Sequence, residues 1–498
     1  MRNVQLLYAA NEITEQDGFS EQRLFFLIRV KNLSFKKQID IIWSGADGVW
    51  HTLPARFHNM AAHDDKEHWI ATATFHSTAD TPLPRTILYA VRYRVKGEEY
   101  WDRNSGHNYF VPVNASFQCS TSTHVLNLGF QHRLGEDQHQ VPITIAVNSP
   151  LQAQQVRIHW TTDDWQHSRV TDCQLKTCLT LEHGKHIIEG GTQIWSALLD
   201  TGSAFRLQYA ICCESDNEVV WANNHGRNYR SSHKPLNVLA LNLHCRQEDN
   251  QDDKFSQIAQ AIDELHVDVV CLQEVSEDWN DMRGNWETNS AKIINDRLKQ
   301  PFHIHTDWSH LGFDRYREGV AILSRHPIAE YDARYMSNDS DPYSINSRKG
   351  VMGQIPIPWF GRINFFSVHT SWWDGGFEEQ FHNLRNWAES WNNDQVKATM
   401  LCGDFNIAAG SRGYQLVVNS SEYEDEFLAV TSPKVFTKIF HKQQDNWPRY
   451  LAHDGRIDYI WKDRSSALRP IAARFIFTPQ EYGRVSDHEG LLLTFEMA

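Results

Sequence analysis

The first 230 residues consist of short runs in which apolar and polar side chains alternate, separated by turns rich in Gly and Asp. Residues 23–30, 38–43 and 86–95 are examples, and turns follow at Gly45 to Gly48 and at Lys96-Gly97. Strict alternation places the apolar side chains on one face of an extended chain. The pattern therefore predicts an all-β region of short strands.

This β-rich region contains an internal repeat. An apolar run ending in Trp, followed by an Asp-containing turn and a second Trp, occurs at residues 39–50 and again at 156–165. A tail of Trp, several polar residues, Gly, Asn and Tyr occurs at 101–109 and again at 221–229. The recurring order predicts a tandem pair of β-sandwich modules, residues 1–115 and 121–232, joined by a polar linker within 114–123.

After Lys234-Pro235 the pattern changes to apolar strands separated by helical stretches. Residues 255–265 repeat apolar positions at helical spacing, and a second helix is expected near 291–298. Apolar runs that predict strands lie at 236–243, 267–272, 319–324, 363–368, 398–402, 457–461 and 491–495. This order predicts a layered α/β sandwich over residues 234–498.

Polar residues follow several of these apolar strands. They are Asn242, Glu274, His369, Asp404, Asn406, Asp458, Asp487 and His488. Each alone is compatible with a cap, a turn or an ion pair. Together, at the ends of separate strands, they indicate a site, because an α/β scaffold exposes strand ends. Converging carboxylates repel one another and require a cation, and oxygen ligands favour Mg²⁺ or Mn²⁺ over Zn²⁺.

The charge and composition of the chain limit the classes of partner that it is expected to bind. The formal net charge of the 498-residue chain is −14, and no Lys/Arg-rich stretch offers a basic groove, so nucleic acid is not favoured. No apolar run reaches the roughly 18 residues needed to span a membrane. The first residues lack the order of a signal peptide, and the eight cysteines do not form a disulfide pattern. A cytoplasmic location is therefore predicted.

The polar strand ends and their neighbours resemble the endonuclease/exonuclease/phosphatase superfamily. The motifs, in order, are Asn242-Leu243-His244, Gln273-Glu274, the run 319–324, Val368-His369, Gly403-Asp404-Phe405-Asn406, Ile457-Asp458 and Ser486-Asp487-His488. The resemblance implies a four-layer sandwich, two packed β-sheets flanked by helices, and a Mg²⁺-assisted phosphoesterase.

The resemblance also implies roles. Glu274 is expected to be the chief metal ligand, with Asn242 and Asp487 as ligands or water-mediated partners. Asp404 and Asn406 are expected to hold the attacking water. His488 is expected to act as general base or as a donor to the phosphoryl oxygens, and Asp458 is expected to hold its ring. His369 is expected to be a second donor to the phosphoryl group. His244 stands where some relatives carry an acid, which leaves open whether one or two metals act.

The repeated modules resemble starch-binding family 21, which also occurs in glycogen-targeting phosphatase subunits. Residues 32–37, the Asp-Gly-x-Trp turn and the Trp-Asp-x-Asn-x-Gly-x-Asn-Tyr tail carry this resemblance in the first module, and the second retains scattered positions. The implied glycan contacts are Trp50, Trp101 and Asn108 in the first module, and Trp165, Trp221, Asn223 and Asn228 in the second. On chemistry alone, each tail is also compatible with an Asn/Gly turn beside a core Trp.

Residues 308–323 are similar to bacterial maltose 6'-phosphate phosphatases, whereas Ser347 to Gly350 resembles sphingomyelinase-like branches. Arg348 or Lys349 is a candidate phosphate contact, and Trp372 and Trp373 are candidates for stacking on a sugar or a lipid head group; a solvated basic loop and a pair at the core edge are the ordinary alternatives. The leading hypothesis is a phosphatase acting on phosphorylated maltose, maltodextrin or glucan. The rivals are a nuclease, a sphingomyelinase-like phosphodiesterase and a non-enzymatic glucan scaffold.

Overall fold

A computed structural model shows two compact units, Met1–Lys234 and Pro235–Ala498, here called the N-terminal and the C-terminal unit. The structure describes residues 3–498 except 17–18, 61–64, 78–81, 119–123, 149, 152, 180–181, 184–185, 188–191, 225, 281, 313–314, 442–450 and 452–453. Residues 119–123, which are the second half of the predicted linker and include the expected start of the second module, lie outside the described residues.

The first part of the N-terminal unit is a β-sandwich. Its strands are β1 (Val4–Gln16), β2 (Phe19–Lys31), β3 (Lys37–Ser44), β4 (Trp50–Pro54), β5 (Arg56–Met60), β6 (Lys66–His76), β7 (Ile87–Val95), β8 (Glu98–Asp102), β9 (Tyr109–Val111) and β10 (Ala115–Gln118). One sheet has the order β10-β1-β2-β6-β5 and the other β4-β3-β7-β8, with β9 pairing β7. The apolar faces of both sheets enclose one core that includes Phe26, Ile41 and Tyr89.

The second part of the N-terminal unit repeats this architecture. Its strands are β11 (Val125–Asn127), β12 (Gln140–Val147), β13 (Gln155–Thr161), β14 (Arg169–Asp172), β15 (Gln174–Leu179), β16 (Glu182–His183), β17 (His186–Ile187), β18 (Thr192–Asp200), β19 (Arg206–Glu214), β20 (Val219–Ala222) and β21 (Tyr229–Ser232). The sheets run β11-β12-β18-β15 and β14-β13-β19-β20, with β21 pairing β19. A separate core includes Ile158, Trp160 and Tyr209.

The two modules also share a small apolar interface. Leu7 and Leu27 from the first module pack with Leu126 and Ile194 from the second, and all four are buried. Burying apolar surface contributes about 25 cal/mol per Å². The interface therefore holds the two modules as one unit.

The C-terminal unit combines longer strands with helices. The strands are β22 (Leu236–Asn242), β23 (Val269–Asn280), β24 (Arg283–Gly284), β25 (His303–Gly312), β26 (Tyr316–Ser324), β27 (Glu330–Tyr335), β28 (Lys349–Ile357), β29 (Gly361–His369), β30 (Val396–Asp404), β31 (Tyr423–Asp425), β32 (Asp458–Asp463), β33 (Leu468–Ile476) and β34 (Gly490–Met497). The helices are α1 (Gln251–Glu264), α2 (Ser290–Asp296), α3 (Phe377–Trp391), α4 (Arg412–Asn419), α5 (Glu426–Thr431) and α6 (Pro433–Phe436).

These strands form two sheets that pack face to face. The orders are β25-β26-β23-β22-β34-β33, with β24 pairing β23, and β27-β28-β29-β30-β32-β31. Helices α1 and α2 share a core with the outer face of the first sheet, and α3 and α4 with that of the second. Between the sheets, Ser367 Oγ donates to the carbonyl of Leu272 at 3.0 Å. The four-layer α/β sandwich expected from the resemblance is confirmed.

The strands named from sequence are present, and several extend further than their apolar runs. The strand expected at 267–272 continues to Asn280, past a bulge between Leu272 and Val275. Strands β24, β25, β27, β28, β31 and β33 and helices α3 to α6 were not predicted. Most of them carry polar residues at edge or surface positions, whereas β28 is buried between two strands and has Gly and Gln within its apolar run. Among the described residues, no helix is long and apolar enough to cross a membrane.

Candidate active site

The site forms where strand ends of both sheets meet. Strands β22 and β23 are parallel and pair Asn242 with Gln273, and β29 and β30 are parallel and pair His369 with Asp404. Parallel neighbours bring their carboxyl ends to one edge of a sheet. Strand β32 runs antiparallel to β30, so its first residue, Asp458, lies opposite Asp404.

Backbone strain marks this edge. Glu274 has a φ of +51° at the bulge in β23, and Asn406 has a φ of +50° just after β30. Non-glycine residues rarely adopt this conformation, and such strain clusters at functional sites. Gly403 has a φ of +137°, and a Cβ there would collide with the carbonyl oxygen of Val368. Glycine is therefore required immediately before Asp404.

Asn242 connects the carboxylates of two sheets. Its Nδ2 donates to Glu274 Oε1 at 2.9 Å and to Asp404 Oδ2 at 3.0 Å, and its Oδ1 accepts from the backbone N–H of His244 at 3.0 Å. Asn242 is completely buried. In this arrangement its amide orients both acids.

Asp404 is buried beside a second carboxylate. Burial and the charge of Asp458 raise the pKa of Asp404 to about 7, although His488 and hydrogen bonds from Asn406 and Asn242 oppose the shift. Its Oδ1 accepts from the backbone N–H of Asn406 at 2.8 Å. A carboxylate with a pKa near neutrality can accept a proton in a reaction at neutral pH.

His488 lies between acids. Its Nδ1 is 2.7 Å from Asp458 Oδ2, and its Nε2 is 3.7 Å from Asp404 Oδ2. Burial disfavours the imidazolium, but the hydrogen bond to Asp458 and the charges of Asp458, Asp404 and Asp487 outweigh it and raise the pKa of His488 to about 9. With this pKa the His488 ring is protonated at neutral pH, so both of its nitrogens carry a hydrogen.

His369 is held in the opposite protonation state. Burial and the positive charges of Arg348 and His488 keep the pKa of His369 well below its usual range. Its Nε2 lies 3.2 Å from Asn406 Nδ2 and 3.6 Å from Asp404 Oδ2. The neutral ring has one N–H, so His369 contributes a hydrogen bond rather than a charge.

A histidine and two carboxylates near Glu274 form a candidate cation site. His244, Glu248 and Asp487 place ligand atoms within 4.8 Å of one another, and Asp487 Oδ1 is 3.5 Å from His244 Nδ1. The hydrogen bond to Glu248 and the negative charges of Asp487 and Glu274 raise the pKa of His244, against the effect of burial. A cation bound near these carboxylates would neutralise their negative charge, and carboxylate oxygens are ligands that Mg²⁺ and Mn²⁺ accept.

The two basic candidates differ in position. Lys349 Nζ pairs with Asp307 Oδ2 at 2.7 Å. Arg348 is partly buried, its Nε donates to Ser371 Oγ at 3.3 Å, and its charge acts on Asp404 and His369. Of the two cationic groups, the Arg348 guanidinium is therefore the one that interacts with the acids of the site.

The two adjacent tryptophans also separate. Trp372 lies in the loop that follows His369 and is 59% exposed. Trp373 packs against the core under the second sheet, with the Arg412 guanidinium 4.2 Å above its ring. Only Trp372 has the open ring face that stacking on a ligand requires.

Sequence reasoning gave no role to Glu318, which the fold buries near the centre. Burial and the charge of Glu274 raise the pKa of Glu318 to about 7, against Arg348 and His244, and its Oε1 lies 3.6 Å from His310 Nε2. The available signal was an acid immediately before the apolar strand 319–324. The sequence motif contains Gln273 beside Glu274 but indicates no role for it. In the structure, Gln273 Nε2 donates to Ser367 Oγ at 3.0 Å, between the two sheets.

In the N-terminal unit, the two repeated tails adopt the same loop. Asn108 N donates to the carbonyl of Arg103 at 2.9 Å, and Asn228 N donates to that of Asn223 at 2.8 Å. Asn108 and Asn228 have φ of +60° and +58°. The Tyr that follows each Asn stacks on a core Tyr in both modules. The tails therefore share a structural turn, which presents their tryptophans.

The predicted glycan contacts differ in accessibility. Trp50 is 49% and Trp221 50% exposed, whereas Trp165 is 36% exposed and donates to Gln208 Oε1 at 3.0 Å. Trp101 is covered by the Arg103 guanidinium, 3.9 Å from its ring centre. Trp50 and Trp221 are the most open platforms.

Two family models match the chain. The model of the endonuclease/exonuclease/phosphatase family matches residues 237–488, and that of the carbohydrate/starch-binding module family 21 matches residues 7–112. The first match contains every active-site residue described above. The second covers the first sandwich module.

Individual relatives match parts of the chain. Protein phosphatase 1 regulatory subunit 3E of Mus musculus is 38% identical over 84 residues, which are 16% of this chain and 28% of that protein. The uncharacterised protein YbhP of Escherichia coli K12 is 25% identical over 265 residues, 51% of this chain and 93% of that protein. A solved endonuclease/exonuclease/phosphatase family protein from Leptotrichia buccalis is 24% identical, with a TM-score of 0.43, over 53% of this chain and 100% of that one.

Proposed function

Because the chain belongs to the endonuclease/exonuclease/phosphatase family and carries a starch-binding module, we propose that it is a divalent-metal-dependent phosphatase acting on a phosphorylated maltooligosaccharide or α-glucan. The observation that carries this proposal is the hydrogen-bonded chain from Glu274 through Asn242 to Asp404. Beside it lies His488, which bonds to Asp458 and has its Nε2 3.7 Å from Asp404 Oδ2. Together they bring a metal-binding carboxylate, a base and a donor into one site.

Glu274 and Asp487 would hold Mg²⁺ or Mn²⁺ at this site. When bound, the cation stabilises the negative charge that develops on the phosphoryl oxygens. Asn242 sets the orientation of Glu274 and of Asp404 at the same time, since its amide donates to both. Its buried Oδ1 faces the His244 backbone, so Asn242 acts as an orienting residue.

Asp404 is the proposed general base. Its raised pKa, about 7, leaves a substantial ionised fraction at neutral pH and allows it to take a proton from the attacking water. Asn406 fixes the carboxylate through its backbone N–H. The attacking water would approach the face of Asp404 that His369 and Asn406 border.

Three groups are placed to stabilise the phosphoryl oxygens. Protonated His488, kept charged by Asp458, donates from Nε2, and Arg348 supplies a second positive charge. Neutral His369 adds a hydrogen bond. A positioned acid or base contributes about 10²- to 10⁴-fold, whereas phosphate monoesters require up to ~10²¹-fold. Electrostatic stabilisation and positioning must supply the remainder.

The sugar assignment rests on the attached modules. A starch-binding module tethered to a hydrolase raises the local concentration of an α-glucan substrate without changing the active site. Trp50 and Trp101 with Asn108 in the first module, and Trp165, Trp221, Asn223 and Asn228 in the second, are the proposed contacts. Buried free thiols such as Cys271 and Cys402 support the cytoplasmic location.

A lipid phosphodiesterase is the second candidate, favoured by exposed apolar side chains. Tyr343 is 58%, Ile345 64% and Trp372 59% exposed. Such residues stabilise a protein at a membrane interface. The rings of Tyr343 and Trp372 would also stack on a sugar, and the starch-binding module supports the sugar as the first candidate.

The test is phosphate release from maltose 6'-phosphate in Mg²⁺, beside plasmid DNA and sphingomyelin vesicles. Glu274→Gln should abolish turnover and EDTA should abolish it reversibly, while Glu287→Gln, whose side chain is 76% exposed, serves as matched control. Cleavage of DNA or sphingomyelin with the sugar phosphate untouched would reject the substrate assignment. Turnover that persists in EDTA and in Glu274→Gln would reject the metal mechanism.

A further inference from the structure

The two sandwich modules enclose a cleft of about 320 Å³ between them. From the first module it is lined by the outer face of the sheet that carries β2, β5 and β6, including Arg29, His58 and His68. From the second it is lined by β11 and by the repeated tail, including Trp221 and Asn223. Its volume lies at the lower end of the roughly 300–1,000 Å³ found for ligand pockets.

The walls of this cleft are held in place. The apolar interface in which Leu27 meets Leu126 lies beside it, and both residues also line the cleft. Asn59 Oδ1 accepts from His68 Nδ1 at 2.8 Å, and Asn59 Nδ2 donates to the carbonyl of Phe130 in the other module at 3.5 Å. The cleft is thus a preformed site built from both modules, and preformed sites lose less entropy on binding.

The lining combines an aromatic ring with neutral hydrogen-bonding groups. Trp221 is half-exposed and packs on one side against His159, with ring centres 4.9 Å apart. Burial and the nearby charges of His132 and Arg56 lower the pKa of His58 to about 4, so its imidazole is neutral at physiological pH. The Arg29 guanidinium donates to Gln5 Oε1 at 2.6 Å. The lining therefore offers an aromatic ring face and several hydrogen-bonding groups, which suit a ligand rich in hydroxyls.

Two lining residues have unused hydrogen-bonding capacity. Among the described residues, His58 Nε2 and Asn127 Oδ1 have no hydrogen-bond partner, and both atoms are shielded from solvent. A buried polar atom without a partner is unfavourable, so both residues gain by bonding a ligand hydroxyl.

From these observations we infer that the cleft binds a short segment of an uncharged α-glucan, with one sugar ring stacked on Trp221 and hydroxyls bonded by groups of both modules, His58 and Asn127 among them. A flat apolar ring face surrounded by hydroxyls matches an aromatic wall with neutral amides and imidazoles. The inference rests on the glucan binding proposed above. It makes the two modules a single binding unit, in which the first module completes the site of the second.

The test is calorimetric titration of the full chain with maltoheptaose. Trp101→Ala, which removes a proposed contact of the first module alone, is the reference protein, and further changes are made in it. Adding Trp221→Ala should weaken binding about 10-fold or more. Adding His58→Ala should weaken it about 5-fold, the equivalent of one hydrogen bond of about 1 kcal/mol. His76→Ala, in the same module with a side chain 67% exposed, should change it less than 2-fold.

Unchanged affinity in His58→Ala beside lost affinity in Trp221→Ala would overturn the inference, because the second module would then bind alone. Absence of binding in the reference protein would overturn it as well. Thermal melting of each variant monitors folding, and His58→Asn replaces His58→Ala if the latter melts early. Hydrolysis of maltose 6'-phosphate is measured in parallel on the unsubstituted chain. A chain that binds maltoheptaose through the cleft and hydrolyses no sugar phosphate would contradict the proposed function and leave the cleft intact.

Discussion

His488 and Asp458 belong to different sheets of the C-terminal unit, and His488 Nδ1 meets Asp458 Oδ2 at 2.7 Å. His488 lies just before β34 in the first sheet, and Asp458 begins β32 in the second. The contact stabilises the protonated ring and orients Nε2 toward Asp404, 3.7 Å away. Face-to-face packing of the sheets thus assembles the proposed catalytic pair.

We predict a bell-shaped pH dependence of kcat/KM. Activity should rise as Asp404 ionises through about pH 7 and fall as His488 loses its proton through about pH 9. The raised pKa of His488 means that its charge is present below that value and lost above it. In Asp458→Asn the alkaline limb should move to lower pH, because the bond that raises the pKa of His488 is removed.

The measurement is the pH profile of phosphate release from maltose 6'-phosphate at saturating Mg²⁺. Asp394→Asn removes an exposed carboxylate and should leave both limbs in place. An alkaline limb that stays near pH 9 in Asp458→Asn would show that His488 does not set it.

Arg348 and Lys349 form a matched pair of adjacent cations. Arg348→Gln should lower kcat/KM about 10²- to 10³-fold, the cost of removing a donor to developing charge. Lys349→Gln should lower it less than 3-fold, since Lys349 is already paired with Asp307. Steady-state kinetics of both variants tests this, and the reverse order of effects would place Lys349 on the phosphate instead.

The sequence was a good guide where one polar residue follows one buried strand. Asn242, His369 and Asp404 could be named because each ends an apolar run. Arg348 and Lys349 could not be told apart, because adjacent residues of an extended chain point to opposite sides. The choice between them depends on a partner, Asp307, that is distant in sequence.

Residues that become part of a site only through burial in the tertiary structure could not be predicted from the sequence. Glu318 lies between Arg317 and Gly319, a pattern that also suits an exposed turn, and only the packing of β26 shows that it is buried beside Glu274. The cleft between the two modules could not be predicted from the sequence for the same reason. His58 is separated from Trp221 by more than a hundred residues, and no local pattern connects them.

Glu426 should make the stability of the C-terminal unit depend on pH. Its carboxylate is buried, both oxygens lack hydrogen-bond partners among the described residues, and Lys462 Nζ is 3.7 Å away. Burial raises the pKa of Glu426 from 4.5 to about 8, against the effect of Lys462. The folded state therefore holds a proton that the unfolded chain releases, and stability is greatest below pH 4.5 for this group and falls as the pH rises to about 8.

The corresponding slope is at most about 1.4 kcal/mol per pH unit. Glu426→Gln should flatten the fall of the melting temperature between pH 5 and 8, and Glu422→Gln, with a side chain 47% exposed, should not. Melting curves with the same slope in wild type and Glu426→Gln would mean that Glu426 is ionised in the folded state.

Trp372 and Trp373 should separate substrate binding from stability. The open face of Trp372 is available to a sugar ring, so Trp372→Ala should raise KM for maltose 6'-phosphate about 5- to 10-fold, the value of one aromatic stacking contact of about 1 kcal/mol. KM for glycerol phosphate, which has no ring, should stay within 2-fold. Trp373 packs on the core, and Trp373→Ala should cost about 3 kcal/mol of stability through the cavity it leaves. Equal losses for both substrates in Trp372→Ala would assign Trp372 to positioning the loop rather than to binding the sugar.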